Sequence, residues 1–329
     1  MTLILNESDI ISLFPMEDAI ETSDLAFKLQ SGDQSVNQPR IRIANQNQSF
    51  NYMTASSPEL GFYCMKTYST HKNTSPTFYV YLFDYSNGDL LSIMNASALG
   101  RIRTGAASGI ATKYLSRQNS QRLSIIGTGY QAKTQAKAIT LIRPITLIKV
   151  YSRSLANRKV FAEWLQQNLN IECIPVNSPE ECTEHSDIIT TITTSKNPVF
   201  KGSQITSGTH INAAGGNHYM RRELDDDAVL NSNVIVTDDI NQARVECGDL
   251  INVIDRGLLH WHNIHQMSEI TSGIKMGRTN ENQITLYESQ GLAIQDLTAA
   301  AHIYSKAIQN KIGKTADINN RDINNRINK

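Results

Sequence analysis

From Leu123 onward the sequence alternates short apolar runs with helical stretches, and this alternation constrains the fold more than any other feature. Leu123-Ser-Ile-Ile126, Leu147-Ile-Lys-Val-Tyr151, Ile171-Glu-Cys-Ile174, Asp187-Ile-Ile-Thr-Thr-Ile192, His210-Ile-Asn-Ala-Ala214 and Val234-Ile-Val-Thr237 each read as a strand. One helix-like run ends near Ile139 and another spans about Leu155 to Leu169. Strands alternating with helices predict a parallel sheet covered on both faces, joined by right-handed crossovers.

The flanks read differently. Met16 to Leu29 carries a helical stripe of Ala19, Ile20, Ala26, Phe27 and Leu29. Tyr79-Val-Tyr-Leu-Phe83 reads as a strand closed by the turn Asp84-Tyr-Ser-Asn-Gly88. Ala98 to Leu115 reads as a buried helix or pair of helices. Thr285-Leu-Tyr287 is the last strand-like piece, and Gly291 to Ile308 is an Ala-rich helix. Residues 313–329 read as a loose polar tail with a tandem pentapeptide, Asp317-Ile-Asn-Asn-Arg321 and Asp322-Ile-Asn-Asn-Arg326.

Charge excludes some functions. With 31 basic and 31 acidic residues the formal balance is zero, which argues against a nucleic-acid binder or a polybasic membrane anchor. The four cysteines, Cys64, Cys173, Cys182 and Cys247, form no C-x-x-C pair, so zinc-ribbon, thioredoxin and disulfide-scaffold readings fail. The opening MTLILNESDI lacks a basic leader, and no run of apolar residues is long enough to span a bilayer. The expectation is a soluble protein of the reducing cytoplasm.

Gly127-x-Gly129-x-x-Ala132 follows a strand and opens a helix. The first Gly permits the tight turn, the second lets the backbone approach a pyrophosphate, and the small third residue allows close helix–strand packing. The free N–H groups of the helix start face the phosphates. The reading is a dinucleotide site. An NAD site usually carries an acid at the end of its second strand, to accept from the ribose hydroxyls. Here stand Ser152, Arg153 and Ser154, with Arg158 one turn on. Arg153 suits a 2′-phosphate, so NADP(H) is expected over NAD(H), with NAD(H) still possible.

Several segments together resemble the ornithine cyclodeaminase/mu-crystallin family. They are Met65-Lys66, Gly100-Arg-Ile-Arg-Thr-Gly-Ala-Ala-Ser108 with Ala111-Thr-Lys-Tyr-Leu115, and Ile126-Gly-Thr-Gly-Tyr-Gln-Ala132. Further on come Asp187-Ile-Ile-Thr-Thr191, Gly215-Gly-Asn217, Arg222-Glu-Leu-Asp225 and Gly291-Leu-Ala-Ile-Gln-Asp296. The resemblance implies an α/β fold, a Rossmann-type doubly wound sheet (113–297) inserted into an α+β substrate and dimerisation domain (1–112 plus 298–329). It also implies a homodimer and a small amino-acid or imino-acid substrate, with hydride moving between the substrate Cα and a nicotinamide.

Such a substrate carries a carboxylate, so fixed cations are needed. The family's motif positions map to Lys66 and Arg103, with either Arg40 or Arg42 as a further carboxylate ligand and Gly291 at the substrate site. Guanidinium grips a carboxylate bidentately, and Lys66 could position the substrate or give a proton to its nitrogen. By the same resemblance, Arg103, Thr104, Ala107, Gly127, Gly129, Tyr130, Gln131, Ala132, Thr191 and Thr193 lie near the cofactor, and Thr191 to Thr194 follow a strand end where open α/β sheets bind ligands. Cyclodeaminases of the family carry an Asp as base where this chain has Asn217. An amide has no suitable pKa to accept a proton, which puts ring closure with ammonia release in doubt; the neighbouring His218 is the alternative base. Hydride transfer to an imine leads, with a cyclodeaminase and a non-enzymatic NADPH binder as rivals. The cluster His260, His262 and His265 lacks a matched acid or Cys, so no metal is expected.

Overall fold

The computed structural model describes residues 1–72 and 74–318. Its strands are β1 (Thr2–Leu5), β2 (Val36–Ala44), β3 (Gln48–Ser57), β4 (Phe62–His71), β5 (Thr74–Asp84), β6 (Leu90–Asn95), β7 (Arg122–Ile126), β8 (Leu147–Tyr151), β9 (Glu172–Pro175), β10 (Ile188–Thr191), β11 (His210–Ala213), β12 (Val234–Thr237), β13 (Ile264–Gln266), β14 (Thr285–Glu288) and β15 (Lys314–Ala316). Its helices are α1 (Glu7–Leu13), α2 (Met16–Gln30), α3 (Ser97–Leu115), α4 (Ala132–Ile142), α5 (Leu155–Leu169), α6 (Pro179–Thr183), α7 (Asp226–Leu230), α8 (Ile240–Glu246), α9 (Gly248–Asp255), α10 (Met267–Thr271) and α11 (Ala293–Asn310). They fall into two compact units, one of Met1–Pro15, Asp33–Gly100 and Ala293–Lys329, the other of Met16–Gly32 and Arg101–Leu292.

The first unit holds a seven-stranded mixed sheet, ordered β15-β1-β6-β5-β4-β3-β2. β2 to β6 form an antiparallel meander, whereas β1 pairs parallel with β6. Helix α11 packs on β3 and β4. The expectation of a loose tail from 313 is corrected at its start, because Lys314–Ala316 pairs antiparallel with Thr2–Ile4. Most of the pentapeptide repeat lies outside the described residues.

The second unit holds an eight-stranded sheet, ordered β13-β12-β14-β11-β10-β7-β8-β9, with parallel pairing throughout. The chain runs outward from β7 through β8 to β9, then returns to β10 on the other side of β7, so the strand order reverses between β7 and β10. Such a reversal leaves a crevice at the carboxyl ends of the strands. Two clusters of buried apolar side chains cover the sheet, one around Ile189, Ile211 and Leu286, the other around Ile125, Ile148 and Leu165. All four cysteines are buried and free. Burial pushes the Cys173 thiol up to about 11 and the Cys182 thiol up to about 12.

Ala98 to Leu115 forms one helix, α3, rather than two. It crosses the boundary expected at residue 112, since contacts divide the chain at Gly100, and α2 belongs with the second unit. The buried Arg143 closes the C-terminal end of α3. Its Nη2 donates to the carbonyls of Thr112 (3.0 Å) and Lys113 (2.7 Å), and its Nε to Ser116 Oγ (2.8 Å) and Arg117 O (2.9 Å). A cation here gives the Lys113 carbonyl a partner, adds to those the Thr112 carbonyl already has, and meets the negative end of the helix dipole. Replacing Arg143 with Met should cost roughly 2–4 kcal/mol, read by urea unfolding.

His210, at the start of β11, is fully buried, with ring nitrogens 3.0 Å from Thr285 Oγ1 and 3.1 Å from Asn212 Oδ1. Burial, reinforced by the Arg278 charge, lowers its pKa from 6.5 to about 3. The folded state therefore refuses a proton that the unfolded chain takes near pH 6.5, so His210 favours folding above that pH and the benefit is lost as pH falls toward 3. Unfolding stability should fall by about 1.4 kcal/mol per pH unit across this window, less steeply in His210→Gln.

Candidate functional site

In the second unit, β7 delivers the glycine turn to the sheet's carboxyl edge. Gly127 has φ +114°, and a Cβ there would stand 2.4 Å from Ile192 O. Its N–H donates to Tyr151 O at 2.9 Å, tying the turn to β8. Gly129 is the opposite case, since a Cβ would meet nothing within 4 Å. The turn is thus closed toward the protein and open at its second glycine, as a pyrophosphate requires. Helix α4 begins at the fully buried Ala132, and Gln131 makes no cap bond. Gln131 Oε1 is buried without a hydrogen-bond partner, an orphan acceptor at the helix start. Tyr130 is exposed, with the Arg101 guanidinium 4.4 Å from its ring centroid. Thr104 and Ala107 lie buried on α3, where the Thr104 carbonyl accepts from Gln135 Nε2 at 3.4 Å. These features fit a dinucleotide.

At the end of β8 no acid stands. Ser152 Oγ donates to Ser154 O (3.1 Å), and Ser154 Oγ caps α5 by accepting from Asn157 N (3.2 Å). Arg153 is exposed. Arg158 turns inward instead, donating to Ser152 O at 3.0 Å and to Asn177 Oδ1 at 3.3 Å, so it builds the turn.

On the other side of β7, a carboxylate within the Arg222-Glu-Leu-Asp225 segment, given no role from sequence, organises the strand ends. Glu223 Oε2 accepts from Thr191 Oγ1 (2.9 Å) and Gly215 N (2.8 Å), and Oε1 from Thr193 N (2.6 Å). Asp249 Oδ1 in turn accepts from the Glu223 and Leu224 amides at 3.0 and 2.9 Å. Burial raises the Glu223 pKa against these donors and raises Asp249 to about 7. Asn217 Oδ1 accepts from Arg221 Nη1 at 3.4 Å. His218 Nδ1 accepts from Met220 N at 3.2 Å, and its ring stacks on Tyr219.

Asp238, after β12, is a second buried carboxylate whose role sequence reasoning missed. It accepts from Gly291 N (2.6 Å), Gln290 N (2.9 Å) and the Tyr287 hydroxyl. Gly291 has φ +76°, and a Cβ there would stand 2.6 Å from Arg103 Nη1, so the nearly buried Arg103 packs against bare backbone. Burial raises the Asp238 pKa, opposed by its hydrogen bonds and the Arg103 charge. The one sequence signal for this residue was an acid placed directly after an apolar strand.

In the first unit, Lys66 on β4 is 3% exposed, and its Nζ donates to Asp296 Oδ1 at 2.9 Å. Asp296 is fully buried in the first turn of α11, and Asn37 Oδ1 accepts from Ile294 N at 3.1 Å in the same turn. Strand pairing sets Arg42 opposite Asn51, and Asn51 opposite Tyr68, two residues beyond Lys66. Arg42 Nε donates to Asn51 Oδ1 at 2.9 Å, and the Arg40 guanidinium lies 5.9 Å from the Tyr68 centroid. Arg40, Arg42 and Lys66 therefore share one sheet face.

His262 stands in a short 3-10 turn and His265 on β13, so the two lie on different elements. Among the described residues no cluster of His, Cys, Asp and Glu is suited to a metal.

The glycine turn yields a paired test. Gly127→Ala should cost roughly 1–3 kcal/mol of stability through clash and strain. Gly129→Ala should leave unfolding within about 0.5 kcal/mol of wild type while weakening dinucleotide binding at least about tenfold, read by fluorescence titration.

Comparison with known proteins agrees with this architecture. The Δ1-pyrroline-2-carboxylate reductase of Thermococcus litoralis, solved with NADH and L-proline, superposes with a TM-score of 0.92 at 35% identity, covering 96% of this chain and 100% of that one. An archaeal alanine dehydrogenase dimer with bound NAD gives 0.91 at 30% identity, covering 96% and 99%. A Δ1-pyrroline-2-carboxylate reductase of Bacillus cereus is 32% identical over 320 residues, 94% of this chain and 98% of its own. The mouse ketimine reductase mu-crystallin is 32% identical over 241 residues, 72% of each chain. Residues 1–311 match the family model, and the chain belongs to the ornithine cyclodeaminase/mu-crystallin family.

Proposed function

We propose that this chain is an NAD(P)H-dependent reductase of cyclic imino acids, with Δ1-pyrroline-2-carboxylate as the representative substrate. The observation that carries this reading is Asn217, an amide held by Arg221 where the family's cyclodeaminases place a carboxylate base. Without that base, the chemistry left to the family scaffold is hydride transfer to a C=N bond. A relative solved with NADH and L-proline supports the substrate class.

A bound reduced nicotinamide supplies the hydride. The chain's own residues do the rest. The glycine turn and the start of α4 take the diphosphate, and the strand ends at Thr191 and Thr193 support the redox ring. Arg103 binds the substrate carboxylate. The Lys66 ammonium, fixed by Asp296, presents its remaining N–H groups to the substrate and supplies the proton that the ring nitrogen gains as the carbon takes hydride. Arg40 or Arg42 adds a further cation. We assign the 2′-phosphate form of the cofactor as preferred, because Arg153 is exposed at the end of β8 and no acid accompanies it.

The protein acts as a homodimer on this reading. The sheet face opposite Lys66 exposes Ile41, Ile43, Phe50, Tyr63 and Tyr79, an apolar surface that a second copy would cover. No helix among the described residues is long and apolar enough to cross a membrane, and four free buried cysteines support a reducing cytoplasm.

The test is NADPH consumption with Δ1-pyrroline-2-carboxylate, with proline as product and no ammonia from ornithine. Lys66→Met should lower kcat/KM by about 10²–10⁴-fold. Tight NADPH binding with no turnover across cyclic ketimine acids would make the chain a binder instead. Gain of ammonia release in Asn217→Asp would show that only this carboxylate separates it from a cyclodeaminase.

A further inference from the structure

The parallel sheet presents two neighbouring strand ends, those of β10 and β11, on the side of β7 away from β8. A dinucleotide bound across the reversal between β7 and β10 would be held on one side by the residues after β8 and on the other, where its nicotinamide half would lie, by those after β10 and β11. The seating of the ring therefore depends on what fixes those two ends.

One side chain does so. Glu223, 1% exposed, spans both ends with three hydrogen bonds, from Thr191 Oγ1 and Thr193 N after β10 and from Gly215 N after β11. The fit is tight on every side. A Cβ at Gly215 would stand 2.3 Å from Thr193 O and 2.7 Å from Glu223 Cδ, and one at Gly127 would strike Ile192 O at 2.4 Å. The residues after β10 are thus held between the glycine turn and the Gly215 turn, with the Glu223 carboxylate as the common acceptor. Glu223 itself is set in place by Asp249, which accepts from its amide and the next.

We propose that Glu223 is a positioning residue for the nicotinamide half of the dinucleotide site, acting through Thr191, Thr193 and Gly215 rather than by touching the reacting atoms. This rests on the reading that the unit binds a nicotinamide dinucleotide. Glu223→Gln is the sharp variant. Its amide keeps one acceptor oxygen but turns a donor toward the donors Thr193 N or Gly215 N, so the clamp cannot close. A misplacement of about 1 Å near the chemistry costs as much as a hundredfold in rate.

The experiment compares full-length wild type with Glu223→Gln for NADPH-dependent turnover and for binding of ADP-ribose, which lacks the nicotinamide. The expected result is a kcat lower by about ten- to a hundredfold, with ADP-ribose affinity within about threefold of wild type. Unchanged kcat and KM in a folded variant would overturn the proposal. So would an ADP-ribose affinity that falls in step with kcat, the mark of general damage. Should Glu223→Gln not fold, Thr191→Val removes one donor while keeping shape, and is expected to lower kcat about three- to tenfold with ADP-ribose unaffected; no change in its kcat would overturn the proposal. A wild type that binds neither NADPH nor NADH would instead remove the dinucleotide reading, leaving the two failures distinct.

Discussion

Backbone amides at the carboxyl edge of a sheet buried on both faces cannot turn to water, and the dinucleotide-fold unit meets them with carboxylates. Glu223 takes the amides beyond β10 and β11, Asp249 takes those of Glu223 and Leu224, and Asp238 takes those of Gln290 and Gly291. Each acid is nearly inaccessible, so each carries a desolvation cost that only several well-aimed donors offset. The loops beyond these strand ends are thereby hydrogen-bonded into the edge of the sheet.

Those acids also explain the glycines beside them. Gly215 has no room for a side chain because the Glu223 carboxyl and the Thr193 backbone fill it, and Gly291 has none because Arg103 lies against it. In the other unit the same economy appears with opposite sign. The Lys66 cation is enclosed by β4 and the start of α11, and Asp296 answers it. An enclosed ion pair of this kind contributes less to net stability than to orientation, because removing one partner strands the other.

The parallel sheet was legible because its strands are short, apolar and flanked by helical periodicity; the runs at Leu123, Leu147 and Val234 read as strands and form them. The meander was less so. β2, VNQPRIRIA, and β3, QSFNYMTASS, mix polar and apolar side chains on both faces, one of which carries cations, and their pattern blurs. β15 is three residues of Lys, Thr and Ala, whose only cue is its pairing with Thr2–Ile4. The glycine turn is read from its spacing, and the expectations for Lys66 and Arg103 rest on resemblance. Glu223 lies in a segment that the resemblance marks, but its role, like that of Asp238, was not legible, because their partners are amides from distant loops and no local pattern encodes an acceptor for those. The inward, turn-building placement of Arg158 was illegible for the same reason, since it is set by carbonyls that the sequence does not mark.

The distribution of the thiols gives the molecule a built-in reporter. Cys64 lies in the unit of the mixed sheet, and Cys173, Cys182 and Cys247 lie in the other. Burial raises the pKa of each and restricts access to it, so modification at the fully enclosed Cys64, Cys182 and Cys247 reports the opening of their surroundings more than intrinsic reactivity. Timed alkylation followed by peptide mapping would then separate the breathing of one half of the chain from that of the other, without a single introduced label.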